Sequence, residues 1–266
     1  MTQERNSRAQ ARSGASSVRG ARVRAPTVRS DGTVHPTRAA ENYLLSIYRV
    51  QEQGLRVTHH NLVDQLKRTP ASEGLGTSLP SVAGMLRRME REGLIQFGDG
   101  REIELTGTGR MLAERMVRRH RLAERMVVDL LGLDLHKAHV EAHRLEHAIS
   151  DDLEDMIRKK LGDPTTCPFG HPIPGAAYKP KYRDTARLDS VTPGTTVVID
   201  RIPFEDQQLL EYLCSRSVLP GVKVRVEENA PYRGVVTLRL GEGQVVLGLE
   251  VAGRIWVGKA AGEAGK

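Results

Sequence analysis

Five of the nine histidines in this chain of 266 residues lie close together, in one stretch near its middle. His120 and Glu124 are four residues apart, so a helix would place them on one face, and the same spacing relates His139, His143 and His147. Imidazole nitrogens and carboxylate oxygens at this spacing are typical of metal ligands on helices. An isolated histidine more commonly lies on a solvated helix face, but two histidine–carboxylate sets within one predicted hairpin favour metal ligation.

The stripe that His139, His143 and His147 form on the predicted helix is too long for one ion. His139 and His147 are separated by about 12 Å of helix rise, whereas a metal ion needs nitrogen ligands at roughly 2.0–2.1 Å. The spacing therefore predicts two sites that share a helix, one from His143, Glu146 and His147 and the other from His120, Glu124 and His139.

The composition excludes several classes of protein. The net charge is +7, but most of the surplus comes from seven arginines before residue 36, so we predict a disordered basic tail over residues 1–36. This tail either binds phosphates or keeps the chain soluble. The sequence has neither an apolar run that would span a membrane nor an apolar signal segment, and only Cys167 and Cys214, so we expect a cytoplasmic protein.

The first third of the chain has the element order of a winged helix-turn-helix. Apolar spacing predicts helices over residues 38–53, 59–67 and 78–92. Asp99-Gly100 then separates two short strands, which is a strong hairpin signal. In such a motif the helix at 78–92 would enter the major groove of DNA and the hairpin would form the wing.

The remaining elements position the histidines and close the chain. Helical patterns run from Thr106 to about Leu131, from His136 to Ile149, and from Ser150 to about Leu161. An irregular segment with five prolines follows over 163–186. Beyond it, the pattern predicts one short helix and five short strands that form a small β-barrel: 195–202, 222–228, 234–240, 244–250 and 254–258.

The order and length of several motifs resemble the diphtheria toxin repressor and manganese transport regulator family of metal-dependent transcription regulators. The motifs are RRMEREGLI (87–95), LTGTGR (105–110), RRHRLAERMVVDLLGLD (118–134), KAHVEAHRLEHAISD (137–151) and CPFGHPIPG (167–175). The resemblance implies a mainly α fold with a small β part. Its domains would be a winged-helix DNA-binding domain (37–106), a helical metal-binding and dimerisation domain (107–163), a proline-rich connector (164–186) and an SH3-like, FeoA-like β-barrel (187–259).

The resemblance also implies two ligand sets. The primary set reads Asn42, His143, Glu146 and His147, and the ancillary set reads His120, Glu124 and His139, completed by Glu205 and Gln208. Iron-responsive members commonly carry Met and Cys, and manganese-responsive members Asp and Glu, where this chain has Asn42 and His143. Because soft sulfur ligands are missing, we expect Mn²⁺, with Fe²⁺ as second choice, while Zn²⁺ or Co²⁺ would bind in vitro.

The function implied is that of a metal-activated homodimer that binds a palindromic double-stranded operator and represses metal-uptake genes, with neither a membrane nor a small organic substrate as partner. The residues expected at DNA are Ser78, Pro80, Ser81, Arg87 and Arg101. The segment 69–76 is longer than the family's turn, and we expect it to loop away from DNA. Two alternatives stay open: a metal-dependent hydrolase, and a constitutive architectural DNA binder with a structural metal.

Overall fold

The computed structural model describes residues 27–28, 34–67, 75–182 and 184–259. The chain forms two compact units, Met1–Thr37 and Arg38–Lys266. In the first unit, two-residue strands β1 (Thr27–Val28) and β2 (Val34–His35) pair antiparallel. The rest of the predicted basic tail and most of the predicted loop 69–76 lie outside the described residues.

The second unit begins with three helices and a hairpin, as predicted for a winged helix. The elements are α1 (Arg38–Glu52), α2 (His59–Lys67), α3 (Leu79–Arg91), β3 (Ile95–Phe97) and β4 (Ile103–Leu105). The Ser78 hydroxyl caps α3 by accepting from the Ser81 backbone amide, as the sequence indicated. The strands pair antiparallel around the turn at Asp99 and Gly100. Apolar side chains of the three helices and the hairpin are buried together.

Three further helices follow, and the first two carry three of the five clustered histidines. They are α4 (Gly107–Arg125), α5 (Ala138–Leu145) and α6 (Asp151–Lys160). Thr106 caps α4 by accepting from the Gly109 amide. A side chain at Gly109 would collide with the Leu94 carbonyl, because a Cβ at this position would lie 1.8 Å from that oxygen. This close approach fixes the wing against the start of α4.

The helix predicted over His136–Ile149 is only partly α-helical. α5 covers Ala138–Leu145, and 3₁₀ turns precede it at Leu135–Lys137 and follow it at Glu146–Ala148. Similarly, the last turn of the helix from Thr106 widens into a π-helical turn at Met126–Leu130. The predicted boundaries were too regular because short 3₁₀ and π segments leave no clear trace in apolar spacing.

The last third of the chain is an antiparallel sheet with two short helices. Its strands, in chain order, are β5 (Thr185–Arg187), β6 (Thr196–Arg201), β7 (Lys223–Ala230), β8 (Val235–Leu240), β9 (Gly243–Gly248) and β10 (Trp256–Lys259). The strand order in the sheet is β5-β10-β6-β7-β8-β9. α7 (Gln207–Ser215) follows β6, and α8 (Leu249–Ala252) follows β9.

Two details of this sheet differ from the prediction. β5 was missed because it lies in the segment assigned to the connector, and it is only three residues long. The segment after Gly248, predicted as strand, is the helical turn α8. The apolar core of the sheet extends to the π-helical turn after α4 and to the start of α5 through Val127 and Ala138. The sheet therefore packs directly against the helices that carry the histidines.

Candidate metal centre

The first group of site residues comes from facing sides of α4 and α5. His120 and Glu124 lie on α4, and His139 and His143 lie on α5. All four side chains are buried. Burying four polar groups at one place is costly unless each finds a partner, so this arrangement points to a specific purpose beyond packing.

Three atoms of this group form a small triangle. His120 Nε2 lies 2.8 Å from Glu124 Oε1 and 3.0 Å from His139 Nδ1, and His139 Nδ1 lies 3.1 Å from Glu124 Oε1. A neutral imidazole has one donor and one acceptor nitrogen, so hydrogen bonds alone satisfy this triangle poorly. Neighbouring ligands of an octahedral ion with bonds of about 2.1 Å are about 3.0 Å apart, which matches these separations.

The second group joins α1 to the 3₁₀ turn after α5. Asn42 Oδ1 lies 3.1 Å from His147 Nε2, and Glu146 Oε1 lies 3.1 Å from His143 Nδ1 and 3.4 Å from His147 Nε2. The structure therefore brings together all four residues expected in the primary set. The tight turn at Glu146–Ala148 places the carboxylate between the two imidazoles.

Glu41 is a member of this group that the sequence analysis missed. Its Oε2 lies 2.7 Å from His147 Nδ1, so this imidazole contacts α1 through both ring nitrogens. Glu41 stands in the first turn of α1, directly before Asn42. An acidic residue in a first helical turn usually signals only helix-dipole stabilisation, so local sequence does not reveal that Glu41 meets the 3₁₀ turn that carries His147.

The two groups form one continuous cluster in this structure. Glu146 Oε2 lies 2.5 Å from His120 Nδ1. The ring of His143 lies 4.6 Å from that of His120 and 4.8 Å from that of His139, measured between centroids. In the part of the chain that the structure describes, nitrogens of His120, His139 and His143 all fall within 4.8 Å of one another. His143 thus adjoins both predicted sets.

Several buried atoms of the cluster are available to bind a metal ion. Glu124 Oε2, His139 Nε2 and His143 Nε2 are buried without a hydrogen-bond partner. Burial lowers the pKa of His120 to about 3 and, aided by the Arg49 charge, holds the pKa of His143 well below its usual range. The imidazoles of His120 and His143 are therefore neutral at physiological pH, and neutral imidazole is the form that binds metal. These residues fit a divalent cation.

The β-sheet domain brings a different residue to the histidines from those expected. Glu205 pairs with Arg254 at 3.1 Å, and Gln208 lies on the exposed side of α7. The ring of Phe204 contacts His139 instead, with centroids 4.8 Å apart. This arrangement differs from the expectation that Glu205 and Gln208 complete the ancillary set, because the chain turns Phe204 towards the histidines. Its neighbour Glu205 consequently faces Arg254.

Cys167 lies in the connector and is fully buried. Burial raises the pKa of its thiol, so the sulfur stays protonated and does not act as a thiolate ligand.

The residues expected at DNA lie on exposed surface. Ser78, Pro80, Ser81 and Arg87 face solvent at the start and along one side of α3, and Arg101 is exposed in the turn between β3 and β4. The opposite side of α3 is buried through Val82, Leu86 and Met89. This arrangement leaves one face of α3 and the hairpin turn free to approach a ligand.

Comparison with known proteins settles the family. Residues 106–175 match the metal-binding and dimerisation domain of iron-dependent repressors, and residues 186–259 match the FeoA domain. Over 231 residues the chain is 35% identical to the iron-dependent repressor IdeR of Mycobacterium leprae, which covers 82% of this chain and 96% of that protein. The chain belongs to the diphtheria toxin repressor and manganese transport regulator family.

Two further members show the range of the family. The diphtheria toxin repressor of Corynebacterium diphtheriae is 38% identical over 158 residues, which cover 59% of this chain and 64% of that repressor. A solved manganese-dependent transcriptional repressor in complex with manganese superposes with a TM-score of 0.72 and 32% identity, over 83% of this chain and all of that one.

Membership confirms the predicted fold class and the function of a metal-dependent transcriptional repressor. Family members are DNA-binding regulators with a dimerisation domain and are not enzymes, so the hydrolase alternative is wrong. In the described ranges, no helix combines the length and apolar character that crossing a membrane requires.

Proposed function

We propose that this repressor binds a palindromic operator as a homodimer when Mn²⁺, or Fe²⁺ as second choice, occupies the histidine cluster. The observation that carries the proposal is the contact between α1 and the turn after α5. Glu41 and Asn42 on α1 both reach His147. Because α1 belongs to the winged helix, its position is tied directly to the state of the cluster.

The proposed ligands are the residues that the geometry groups. Asn42, His143, Glu146 and His147, joined by Glu41, would hold one ion, and His120, Glu124 and His139 would hold another. A bound cation would be held jointly by the amide and carboxylate of α1 and by the imidazoles and carboxylate of α5 and the turn after it. Asn42 and Glu41 then keep α1 docked, which lowers the ordering cost of placing two α3 helices on adjacent half-sites.

The donor types support Mn²⁺ or Fe²⁺. Carboxylate and amide oxygens from Glu41, Asn42 and Glu146 suit Mn²⁺, whereas imidazoles suit Fe²⁺ and Zn²⁺ as well. In vitro affinity follows the Irving–Williams order, so Zn²⁺ and Co²⁺ would bind regardless of which ion acts in the cell. Activation at matched free-ion concentrations is therefore a better criterion for the physiological ion than affinity alone.

The exposed side of α3 supplies the proposed DNA contacts. We expect Arg87→Ala to weaken DNA binding and to reduce its salt dependence by about one counterion, because a phosphate contact releases about one ion. The measurement is DNA affinity against salt concentration with saturating Mn²⁺. Arg225→Ala, which removes an exposed arginine of the sheet domain, serves as control and should leave the salt slope unchanged. An unchanged salt slope of DNA affinity in Arg87→Ala would contradict the assignment of this side of α3 to the DNA interface.

An apolar surface on α6 and at the end of the π-helical turn after α4 supports a homodimer. Leu131, Met156, Leu153 and Leu130 are exposed by 71%, 67%, 42% and 41%. Exposed apolar side chains that cluster on one face mark an interaction surface. The family domain that contains them is named for dimerisation.

We expect Met156→Lys to shift the chain from dimer to monomer, because the ammonium would be buried without a partner across a symmetric interface. Light scattering during size-exclusion chromatography measures the mass directly. Leu55→Lys changes an apolar residue of similar exposure, 51%, outside this surface and should remain dimeric. Equal dimer content in both variants would contradict the assignment of this face.

A selection experiment tests the proposed function as a whole. The full chain loaded with Mn²⁺ is used to enrich bound sequences from a pool of random duplexes, and the enriched duplex is bound again with and without a chelator. We expect a two-fold symmetric sequence whose binding is lost on chelation. Binding that survives chelation and requires residues 1–36 would favour the constitutive architectural alternative.

A further inference from the structure

The inner face of α1 carries a buried polar stripe that extends past the proposed ligand Asn42. Asn42, Ser46 and Arg49 are spaced four and three residues apart, so they share one face, and they are 1%, 2% and 5% exposed. A buried arginine is rare unless negative charge or an aromatic ring compensates its desolvation. Arg49 therefore requires partners within the cluster.

The groups around the Arg49 guanidinium come from α4, from the turn after α5 and from the sheet domain. Its Cζ lies 5.1 Å from the centroid of Phe204, within the range of a cation–π interaction. Burial lowers the pKa of Arg49, while the carboxylates of Glu205, Glu124 and Glu146 act against that shift. Two of these carboxylates belong to the histidine cluster, so Arg49 already supplies positive charge there.

The ring of Phe204 brings this charge next to a proposed ligand. Phe204 lies beneath the Arg49 guanidinium and also contacts His139, with ring centroids 4.8 Å apart. A guanidinium on the far side of this ring disfavours a divalent cation at His139, since both are positive charges brought close together.

We propose that Arg49 is a resident cation of the histidine cluster, which offsets the charge of Glu124 and Glu146 before a metal binds and weakens binding of a divalent ion at His120, Glu124 and His139. Phe204 fixes the guanidinium by stacking beneath it. The sheet domain thus influences metal affinity through an aromatic side chain rather than through oxygen ligands. The inference rests on the proposed function, because it assumes that the cluster binds metal.

Removing the Arg49 charge should have two effects of opposite sign. Without metal, the buried carboxylates lose their compensating cation, so the apo chain becomes less stable. With metal, the repulsion is absent, so the ion binds more tightly and stabilises the fold more. A residue with only a packing role would lower the stability of both forms equally.

The test compares Arg49→Gln with Arg49→Lys, which keeps the charge, in the full chain. Mn²⁺ affinity is measured by competition with a chromophoric chelator, and Tm is measured with and without saturating Mn²⁺. We expect Arg49→Gln to have a lower apo Tm and a larger rise in Tm on adding Mn²⁺. It should also bind Mn²⁺ at least tenfold more tightly at the site formed by His120, Glu124 and His139. Arg49→Lys should bind Mn²⁺ with nearly wild-type affinity.

Arg187→Gln provides a matched control, because the Arg187 guanidinium also stacks on a ring, that of Trp256, with Cζ 3.9 Å from its centroid. It should leave Mn²⁺ affinity unchanged. Unchanged or weaker Mn²⁺ binding in Arg49→Gln, beside a wild-type chain that binds Mn²⁺, would overturn this inference alone. A wild-type chain without a saturable Mn²⁺ site would overturn both this inference and the assignment of the metal ligands.

Discussion

Replacing Glu146 by Gln should reduce metal-dependent DNA binding by at least about 100-fold, because changes around metal ligands commonly cost 10–100-fold even when the ligands themselves are kept. Glu146 Oε1 lies 3.1 Å from His143, and Oε2 lies 2.5 Å from His120. The amide keeps the shape of the side chain but removes the negative charge that both groups of the cluster share. Binding of an operator duplex, titrated with Mn²⁺, measures the loss.

Glu141→Gln is the matched control for this change. Glu141 lies on the outer side of α5, the helix that directly precedes Glu146, and it pairs with Arg144 at the surface, so the same chemical change there should leave activation intact. Full Mn²⁺ activation of Glu146→Gln would refute the assignment of the cluster. Loss of binding in both variants would indicate a general effect of charge on α5.

Glu52→Gln should lower the free energy of unfolding by about 3 kcal/mol, the lower end of the range for breaking a buried ion pair. The Glu52 carboxylate on α1 accepts from Arg121 on α4, with Nη1 and Oε1 2.9 Å apart. Arg121 is fully buried and also donates to the Pro172 carbonyl. Chemical denaturation of the apo chain measures the loss, which comes from leaving the Arg121 charge in the interior without its partner.

The pH dependence of stability offers a second check on this prediction. Burial by itself would raise the pKa of Glu52, but Arg121 and His171 outweigh burial and hold the pKa well below its ordinary value of 4.5. A carboxylate with a depressed pKa in the folded state stabilises the fold fully above its unfolded pKa and loses that contribution as the pH falls. The stability difference between wild type and Glu52→Gln should therefore be constant at neutral pH and shrink below about pH 4.5.

Glu102→Gln controls for the loss of a carboxylate as such. Glu102 pairs with Arg56 at 2.7 Å, but the Arg56 side chain is 67% exposed, and exposed ion pairs contribute about 0–1 kcal/mol. A cost for Glu52→Gln no larger than that for Glu102→Gln would contradict the importance of the link between α1 and α4.

The sequence predicted those features that depend on local spacing. The three helices and hairpin of the winged helix, the Ser78 cap and the stripe of His139, His143 and His147 all follow from periodicity and turn residues. The structure places the helices, the hairpin and the cap where the patterns indicated, with His139 and His143 on α5, but His147 lies in the 3₁₀ turn after this helix. Helix rise also predicted that the stripe divides into two groups, which stays a prediction, and in the structure Glu146 and His143 adjoin both groups.

The features that the sequence did not predict depend on tertiary packing. Glu41 acquires its proximity to His147 only when α1 meets the 3₁₀ turn that follows α5. The sequence does not distinguish Arg49 from a surface arginine, but in the structure this residue is buried with its guanidinium over the Phe204 ring. In the same way, no local pattern distinguishes Phe204 from its neighbour Glu205 as the residue that meets His139. The family resemblance implied oxygen ligands from Glu205 and Gln208, whereas the side chain that contacts His139 in the structure is the ring of Phe204.

The most direct test of the central claim measures linkage between metal and DNA. If the contact between α1 and His147 transmits the signal, Mn²⁺ must tighten operator binding, and the operator must tighten Mn²⁺ binding by the same factor. We predict equal factors of at least about fivefold, the lower end of typical allosteric coupling, in the full chain with the selected duplex. Mn²⁺ affinity that is identical with and without the duplex would contradict the account.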